Sequence, residues 1–384
     1  MISILFLDHA EALGGAEYSL LWLIEQLQAS SQWRPHLACP PGALADGVRA
    51  LGAPVYPVAM PRLRRSSRLL RHWLSTARDI AAIARDVDAA ILHTNTIRAT
   101  MYGILAARLA RRPLIWHMRD FWLSETPPTR PQLDDGLKRI LCAASTRVIA
   151  NSRATAAHLP CPAKIEVVYN GIPIHQYDVR EPGIEPFFQE WGIPSGAPVV
   201  GMAGRLRPWK GQRVFLQMAA YIHRQRPDVH FLIVGGSPFG KDDAYVRELQ
   251  ALVARSNLTN FVTFTGHLSD IGSALAAMTI FVHPGEPEPF GLVNIEAMAM
   301  GKPVIAFAHG ALPEIVTPET GILVPPGDVN ALAKAALSLL ARPEYAAGMG
   351  KAGQARARSS FSMERAAREI QTIYQSVFSR GTHA

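Results

Sequence analysis

Two glutamates, Glu288 and Glu296, stand eight residues apart in EPEPFGLVNIEAMAMGKPV, one on each side of a Phe-Gly-Leu turn. The stretch after the turn reads as a buried helix, and acids are poor core residues. Carboxylates accept hydrogen bonds from ribose and hexose hydroxyls. At the helix start, the backbone N–H groups of Phe290, Gly291 and Leu292 would lack intrahelical partners. Gly291 lets a ligand approach the backbone closely. The plainer alternative is that both acids merely favour the helix dipole. A second set lies in GRLRPWKG (204–211), where Arg205 leaves an apolar run and Lys210 follows five residues on, beside the next helix. Two cations next to a helix N-terminus suit a diphosphate, although a surface pair of basic residues would look the same.

Other candidates lie nearer the start. Gly14 and Gly15 in LGGAEYSLL precede a helix and could bring N–H groups to phosphates, while Glu17 serves that helix's first turn. PLIWHMRDF ends an apolar run in His117, with Arg119 and Asp120 just beyond, and AAILHTN ends in His93, Thr94 and Asn95. A histidine at a strand's carboxyl end can be purely structural. No G-x-x-x-x-G-K-S/T loop is present, and no G-x-G-x-x-G follows the first strand, which disfavours a dehydrogenase-type dinucleotide site. Asp86 and Asp88 could suggest a metal, but two acids in a turn between elements are common.

These residues need strand ends to hold them. Apolar runs read as buried strands in ISILFLD, HLACP, AAILHTN, PLIWHM, RVIANS and IEVVYNG, with helical patterns between several of them. The pattern breaks in a Pro- and Gly-rich stretch near 173–197. A second series follows: PVVGMAGR, VHFLIVGG, NFVTFTG, TIFVHPG, KPVIAFA and GILVPPG. Continuous apolar strands joined by helices imply parallel sheets covered on both faces. The expected fold is α/β, with two doubly wound domains facing across a cleft and ligands at the strands' carboxyl ends. The expected division is residues 1–175, a linker at 176–197, residues 198–360, and a helix at 361–384 returning to the first domain.

Composition agrees. The 384 residues are too many for one ordinary domain, and 48% hydrophobic with 18% charged is globular. MISILFLDHAEALGG reads as a first strand, not a signal peptide, and no apolar stretch is long enough for a membrane span. Cys39, Cys142 and Cys161 are few, odd in number and without CxxC spacing, which fits a reducing cytoplasm and no structural zinc. Of the net charge of +8, residues 1–180 carry +7, from 21 Lys and Arg against 14 Asp and Glu. Part of that excess is PRLRRSSRLLRHW, with Arg62, Arg64, Arg65, Arg68 and Arg71. The run is either a solvated face or a contact for an anionic membrane surface or acceptor. No nucleic-acid motif accompanies it.

Taken together, the motifs resemble glycosyltransferase family 4, retaining nucleotide-sugar-dependent enzymes of the GT-B fold with two Rossmann-like domains. EPEPFGLVNIEAMAMGKPVI matches that family's E-x7-E signature and GRLRPWKG its Gly-Arg-Leu-x-x-x-Lys-Gly turn. LGGAE, ANS, VVYNGI, LIVGG, TGH, LPEIV and LVPPGD fall in the family's order along nearly the whole chain. The resemblance implies that Arg205 and Lys210 hold the donor diphosphate, that Glu296 contacts the ribose, and that Glu288 with the 290–292 backbone holds the sugar. It implies base contacts near Gly266 and His267. His117 would bond the donor sugar rather than act as a general base. The family's His-Asp is here His-Met-Arg-Asp, which leaves Arg119 and Asp120 unassigned. No metal or other cofactor is expected; positive side chains and helix ends take the cation's place. The expected reaction moves a hexose-type sugar from a UDP-, GDP- or ADP-linked donor to a hydroxyl of a sugar, glycan or lipid-linked acceptor. The expected location is cytoplasmic, with possible peripheral contact to the inner face of the membrane. A nucleotide-sugar epimerase of the same fold and a non-catalytic polyanion- or partner-binding module are the alternatives.

Overall fold

The computed structural model describes residues 1–62, 67–121, 131–177, 184–237 and 243–381. The chain forms two compact units, one of Met1–Ile172 with Ser362–Ala384 and one of Pro173–Phe361.

The first unit is built on a seven-stranded sheet. Its strands are β1 (Ile2–Leu7), β2 (Trp33–Cys39), β3 (Val55–Pro57), β4 (Ala89–Thr94), β5 (Leu114–Met118), β6 (Arg147–Ala150) and β7 (Ile165–Val167). They lie in the order β3-β2-β1-β4-β5-β6-β7, and all pairs are parallel. Ile4 to Leu7 are wholly buried because helices cover both faces, so the strand shows no polar alternation. The short β3, VYP, was not anticipated: three partly exposed residues carry too little pattern to stand out from a loop. The Met363–Gly381 helix belongs to this unit. Tyr374 packs edge-on to Trp33 at 5.4 Å, and Trp33 Nε1 donates to Gln371 at 3.1 Å. At the crossing, Met363 N–H donates to the Ile172 carbonyl at 2.9 Å.

The second unit repeats the scheme with six strands, β8 (Val199–Ala203), β9 (His230–Val234), β10 (Val262–Gly266), β11 (Ile280–His283), β12 (Val304–Phe307) and β13 (Gly321–Val324). Their order is β10-β9-β8-β11-β12-β13, again parallel. In each sheet the strand order reverses once, between β1 and β4 and between β8 and β11. Ligands of doubly wound sheets bind in the crevice at the carboxyl side of that reversal.

The cysteines depart from the expectation of reduced thiols. Cys142 and Cys161 form a disulfide with their Cα atoms 6.0 Å apart, and only buried Cys39 is free. Odd count and absent CxxC spacing could not reveal a pair brought together by folding over 19 residues.

Candidate active site

The β8/β11 reversal gathers most of the second unit's candidates. β8 ends at Ala203, and Arg205 follows with its side chain exposed and, among the described residues, in no ion pair. A single 3-10 turn, Pro208–Lys210, carries Lys210 into the Gln212–His223 helix. Gly211 joins them at φ +81°, where a Cβ would come within 2.3 Å of the Pro284 carbonyl oxygen. Glycine is needed there on both counts. That close approach, with Glu286 N–H donating to the Trp209 carbonyl at 2.7 Å, clamps the Lys210 turn to the loop after β11.

The clamp brings Lys210 onto Glu288. Lys210 Nζ donates to Glu288 Oε1 in a close ion pair, and His283 Nε2 lies 3.8 Å from the same oxygen. Burial works against ionising Glu288, but the charges around it, led by Lys210, hold its carboxyl below the usual range. Burial lowers His283 to about 4, so at neutral pH it is an uncharged imidazole. Ala311 N–H donates to the Glu288 carbonyl at 2.9 Å and fixes the loop from the β12 side.

Gly291, at φ +83°, caps the Leu292–Ala299 helix and offers no side chain. Among the described residues, no acceptor takes the N–H groups of Gly291, Leu292 and Val293. They are orphan donors beside the Lys210–Glu288 pair. Phe290 contributes backbone only, since its ring is buried edge-on to Phe361 at 6.0 Å. Glu296 is 9% exposed. Burial pushes its carboxyl up to about 7, against the pull of a hydrogen bond from Tyr177. Gly266 (φ +69°) ends β10, its carbonyl accepts from Gly235 N–H at 2.9 Å, and the next residue, His267, is exposed.

The β1/β4 reversal of the first unit holds a buried polar network. Asp8, wholly buried, accepts from Asn95 Nδ2 at 2.7 Å and from Ala10 N–H at 2.9 Å. Arg119 Nε donates to Asn95 Oδ1 at 2.5 Å and its Nη1 to Asn170 Oδ1 at 2.6 Å. Burial lowers Arg119 to about 10, which leaves it a cation at neutral pH. Arg119 is therefore the charged centre of this network. Asp120, by contrast, accepts from Phe121 N–H at 2.7 Å and serves its own turn. Glu17 accepts from Gly14 N–H at 2.9 Å, so Glu17 caps the helix and that amide is already engaged. Burial and the neighbouring Asp8 raise Glu17 to about 7.

His117, next to last in β5, lies beside this network and is 1% exposed. Its Nδ1 lies 3.2 Å from His93 Nε2, and His93 Nδ1 lies 2.6 Å from the Tyr374 hydroxyl. Its Nε2 has no partner among the described residues. A small pocket is lined by His117, Arg119, Tyr169, Asn170, Gly171 and Met363, among others. Asp86 ends a helix and Asp88 pairs with Arg112 at 2.7 Å. Among the described residues no group of three His, Cys, Asp or Glu is placed to hold a metal ion.

Sequence reasoning missed Tyr177, His283, Asp8 and Tyr374. His283 and Asp8 ended their strand runs and could have been flagged. Tyr374 lies 281 residues from its partner His93 and carries no local signal.

Two family models match, Glycosyl transferases group 1 over residues 183–356 and Glycosyltransferase Family 4 over residues 13–176. A lipopolysaccharide core biosynthesis mannosyltransferase, LpsB, of Rhizobium meliloti (strain 1021) is 33% identical over 252 residues, 63% of this chain and 69% of that protein. An alpha-maltose-1-phosphate synthase of Mycolicibacterium smegmatis is 29% identical over 96% of both chains. The crystal structure of Anabaena Alr3699/HepE in complex with UDP-glucose superposes with a TM-score of 0.84 at 28% identity, covering 98% of this chain and 100% of that one. With these matches across both units and its two doubly wound sheets, the chain belongs to glycosyltransferase family 4 and is a glycosyltransferase of the GT-B fold.

Proposed function

We propose that this enzyme moves a hexose-type sugar from a nucleotide diphosphate sugar to an acceptor hydroxyl, with retention at the anomeric carbon and without a metal ion. The observation that carries this reading is the β8/β11 crevice. Arg205, Lys210, Glu288 and the orphan N–H groups of 291–293 lie together on the loops that follow those two strands. A diphosphate needs cations and N–H donors, and a sugar needs carboxylates; this crevice supplies both. The UDP-glucose complex of the Anabaena protein and the Rhizobium mannosyltransferase support a hexose donor.

In the reaction, the bond from the anomeric carbon to the diphosphate oxygen breaks and its electron pair leaves with the diphosphate. The acceptor oxygen bonds to the same face of that carbon and passes its proton to the leaving phosphate oxygen. Arg205 and Lys210 meet the charge that grows on the diphosphate, and fixed charges count most where charge develops. Lys210 begins the cycle paired with Glu288, so an incoming diphosphate draws it away and frees the carboxylate for sugar hydroxyls. Glu296 takes the ribose hydroxyls, and His117 gives a hydrogen bond to the sugar.

The acceptor we propose belongs to a cell-surface glycan or glycolipid, approached by peripheral contact with an anionic membrane. Arg62, Leu70 and Arg71 are exposed; Arg64 and Arg65 lie outside the described residues, as does the side chain of Arg68. Trp73 takes no part, because its indole N–H donates to the Met101 carbonyl at 2.8 Å. Among the described residues no helix is long and apolar enough to cross a membrane. Salt-sensitive sedimentation with anionic but not neutral vesicles is the expected result; equal absence of binding to both would remove the membrane contact.

The test of the reaction is a panel of UDP-, GDP- and ADP-linked hexoses, read by thermal shift and by release of nucleoside diphosphate. One donor should stabilise the protein and be hydrolysed slowly without acceptor. Conversion of a donor to its epimer would instead indicate an epimerase, and no stabilisation or turnover with any donor would refute the reading.

A further inference from the structure

We propose that Tyr374 and His93 are positioning residues that hold His117 in a single neutral tautomer, with its hydrogen on Nε2, ready to donate to a sugar oxygen. The proposal deepens the reading given above that His117 meets the donor sugar, and on that point it rests on that reading.

Three groups stand in one line. The Tyr374 hydroxyl meets His93 Nδ1 at 2.6 Å, and His93 Nε2 meets His117 Nδ1 at 3.2 Å. His117 Nε2 is the free end, buried and without a partner among the described residues. Burial first, and then the Arg119 cation, drive both histidines well below their usual pKa, so each ring carries one hydrogen. A neutral imidazole has one donor and one acceptor nitrogen. The line can then run in only two directions.

Tyr374 decides between them. It is fully buried, and His93 is its only hydrogen-bond partner among the described residues. If the hydroxyl accepted from His93, its own O–H would point at nothing. A buried donor left unmade disfavours that arrangement by a factor of about 5 to 150. Tyr374 therefore donates to His93 Nδ1, and the His93 hydrogen sits on Nε2. That N–H donates to His117 Nδ1, which places the His117 hydrogen on Nε2. The rings cannot easily turn out of line, since His93 lies 4.8 Å from Phe6 and edge-on to Tyr374 at 5.7 Å. A histidine set this way gives a hydrogen bond and has no lone pair to offer as a base. The selecting hydroxyl sits on the Met363–Gly381 helix, so that helix sets the chemistry of the β5 histidine.

The experiment is nitrogen NMR of the full chain with 15N-labelled histidine, alongside transfer kinetics. In the wild type, His117 should carry hydrogen on Nε2 and a bare Nδ1. Tyr374→Phe should turn this into a mixture of tautomers and lower kcat in proportion to the lost Nε2–H form, about twofold for an even mixture. His93→Gln should keep the Nε2–H form and most of the activity, because its carbonyl accepts from Tyr374 and its amide donates to His117. His93→Leu should lose both. Hydrogen on Nδ1 of His117 in the wild type would overturn the proposal, as would an unchanged tautomer in Tyr374→Phe. His117→Ala is the separate control: wild-type turnover in that variant would remove the sugar contact, while the tautomer assignment would still stand or fall on the spectra.

Discussion

Glu296→Gln should make the protein more stable at neutral and alkaline pH, and by an amount that depends on pH. Burial raises the folded carboxyl from an ordinary 4.5 to about 7. The folded pKa therefore lies above the unfolded one, and between those values the folded state binds the extra proton. Stability from this group is fully present below about pH 4.5 and is lost as pH rises through about 7. A shift of that size corresponds to about 3 kcal/mol. Glutamine is neutral at every pH and can still accept from Tyr177, so it escapes the loss. The difference between variant and wild type should be small at pH 5 and grow toward ~3 kcal/mol by pH 8. Glu17 is raised to a similar value, but it titrates in both proteins and cancels in the difference. Urea unfolding at four pH values, at constant salt, measures this. Two units need not unfold together, so tryptophan fluorescence and circular dichroism should be followed in parallel. A difference that does not vary with pH would show that the buried carboxyl costs nothing to ionise and would refute the reasoning.

Arg205→Ala and Lys210→Ala should each lower kcat about 100-fold, the scale of losing one donor to a developing anion, and near wild-type turnover in both would exclude the diphosphate clamp. Glu288→Gln should weaken use of the donor sugar more than binding of the free nucleoside diphosphate, because it loses a sugar contact while releasing Lys210 from its ion pair; equal effects on the two ligands, measured by calorimetry, would count against it. Transfer should persist in excess EDTA, and complete loss restored by magnesium or manganese would show a metal requirement.

Much of this architecture was readable from the sequence, because buried parallel strands are long apolar runs with breaks at their ends. ISILFLD and TIFVHPG announced both a strand and the residues at its carboxyl edge, which is where the reversal of strand order makes a crevice. The site was legible as far as residue types are local: Arg205 and Lys210 across one turn, Glu288 and Glu296 across another. Their pairing was not legible. Lys210 and Glu288 are 78 residues apart, and nothing in either motif says that they neutralise each other. The buried network around Arg119 was hidden for a similar reason, since Asp8, Asn95 and Asn170 come from the ends of different strands. The Cys142–Cys161 bond also depends on folding that spacing does not encode.

The placement of the Met363–Gly381 helix in the first unit has a consequence for how the protein is made. Residues Pro173–Phe361 must all be synthesised before that helix exists. At about 5–20 residues per second this takes roughly 10–40 s. Throughout that interval the nascent first unit has Trp33 and His93 facing an empty seat, with apolar surface open to chaperones. A chain halted anywhere before Tyr374 would leave His117 without its selecting hydroxyl. The hydroxyl that orients the β5 histidine is thus made only after the whole of Pro173–Phe361.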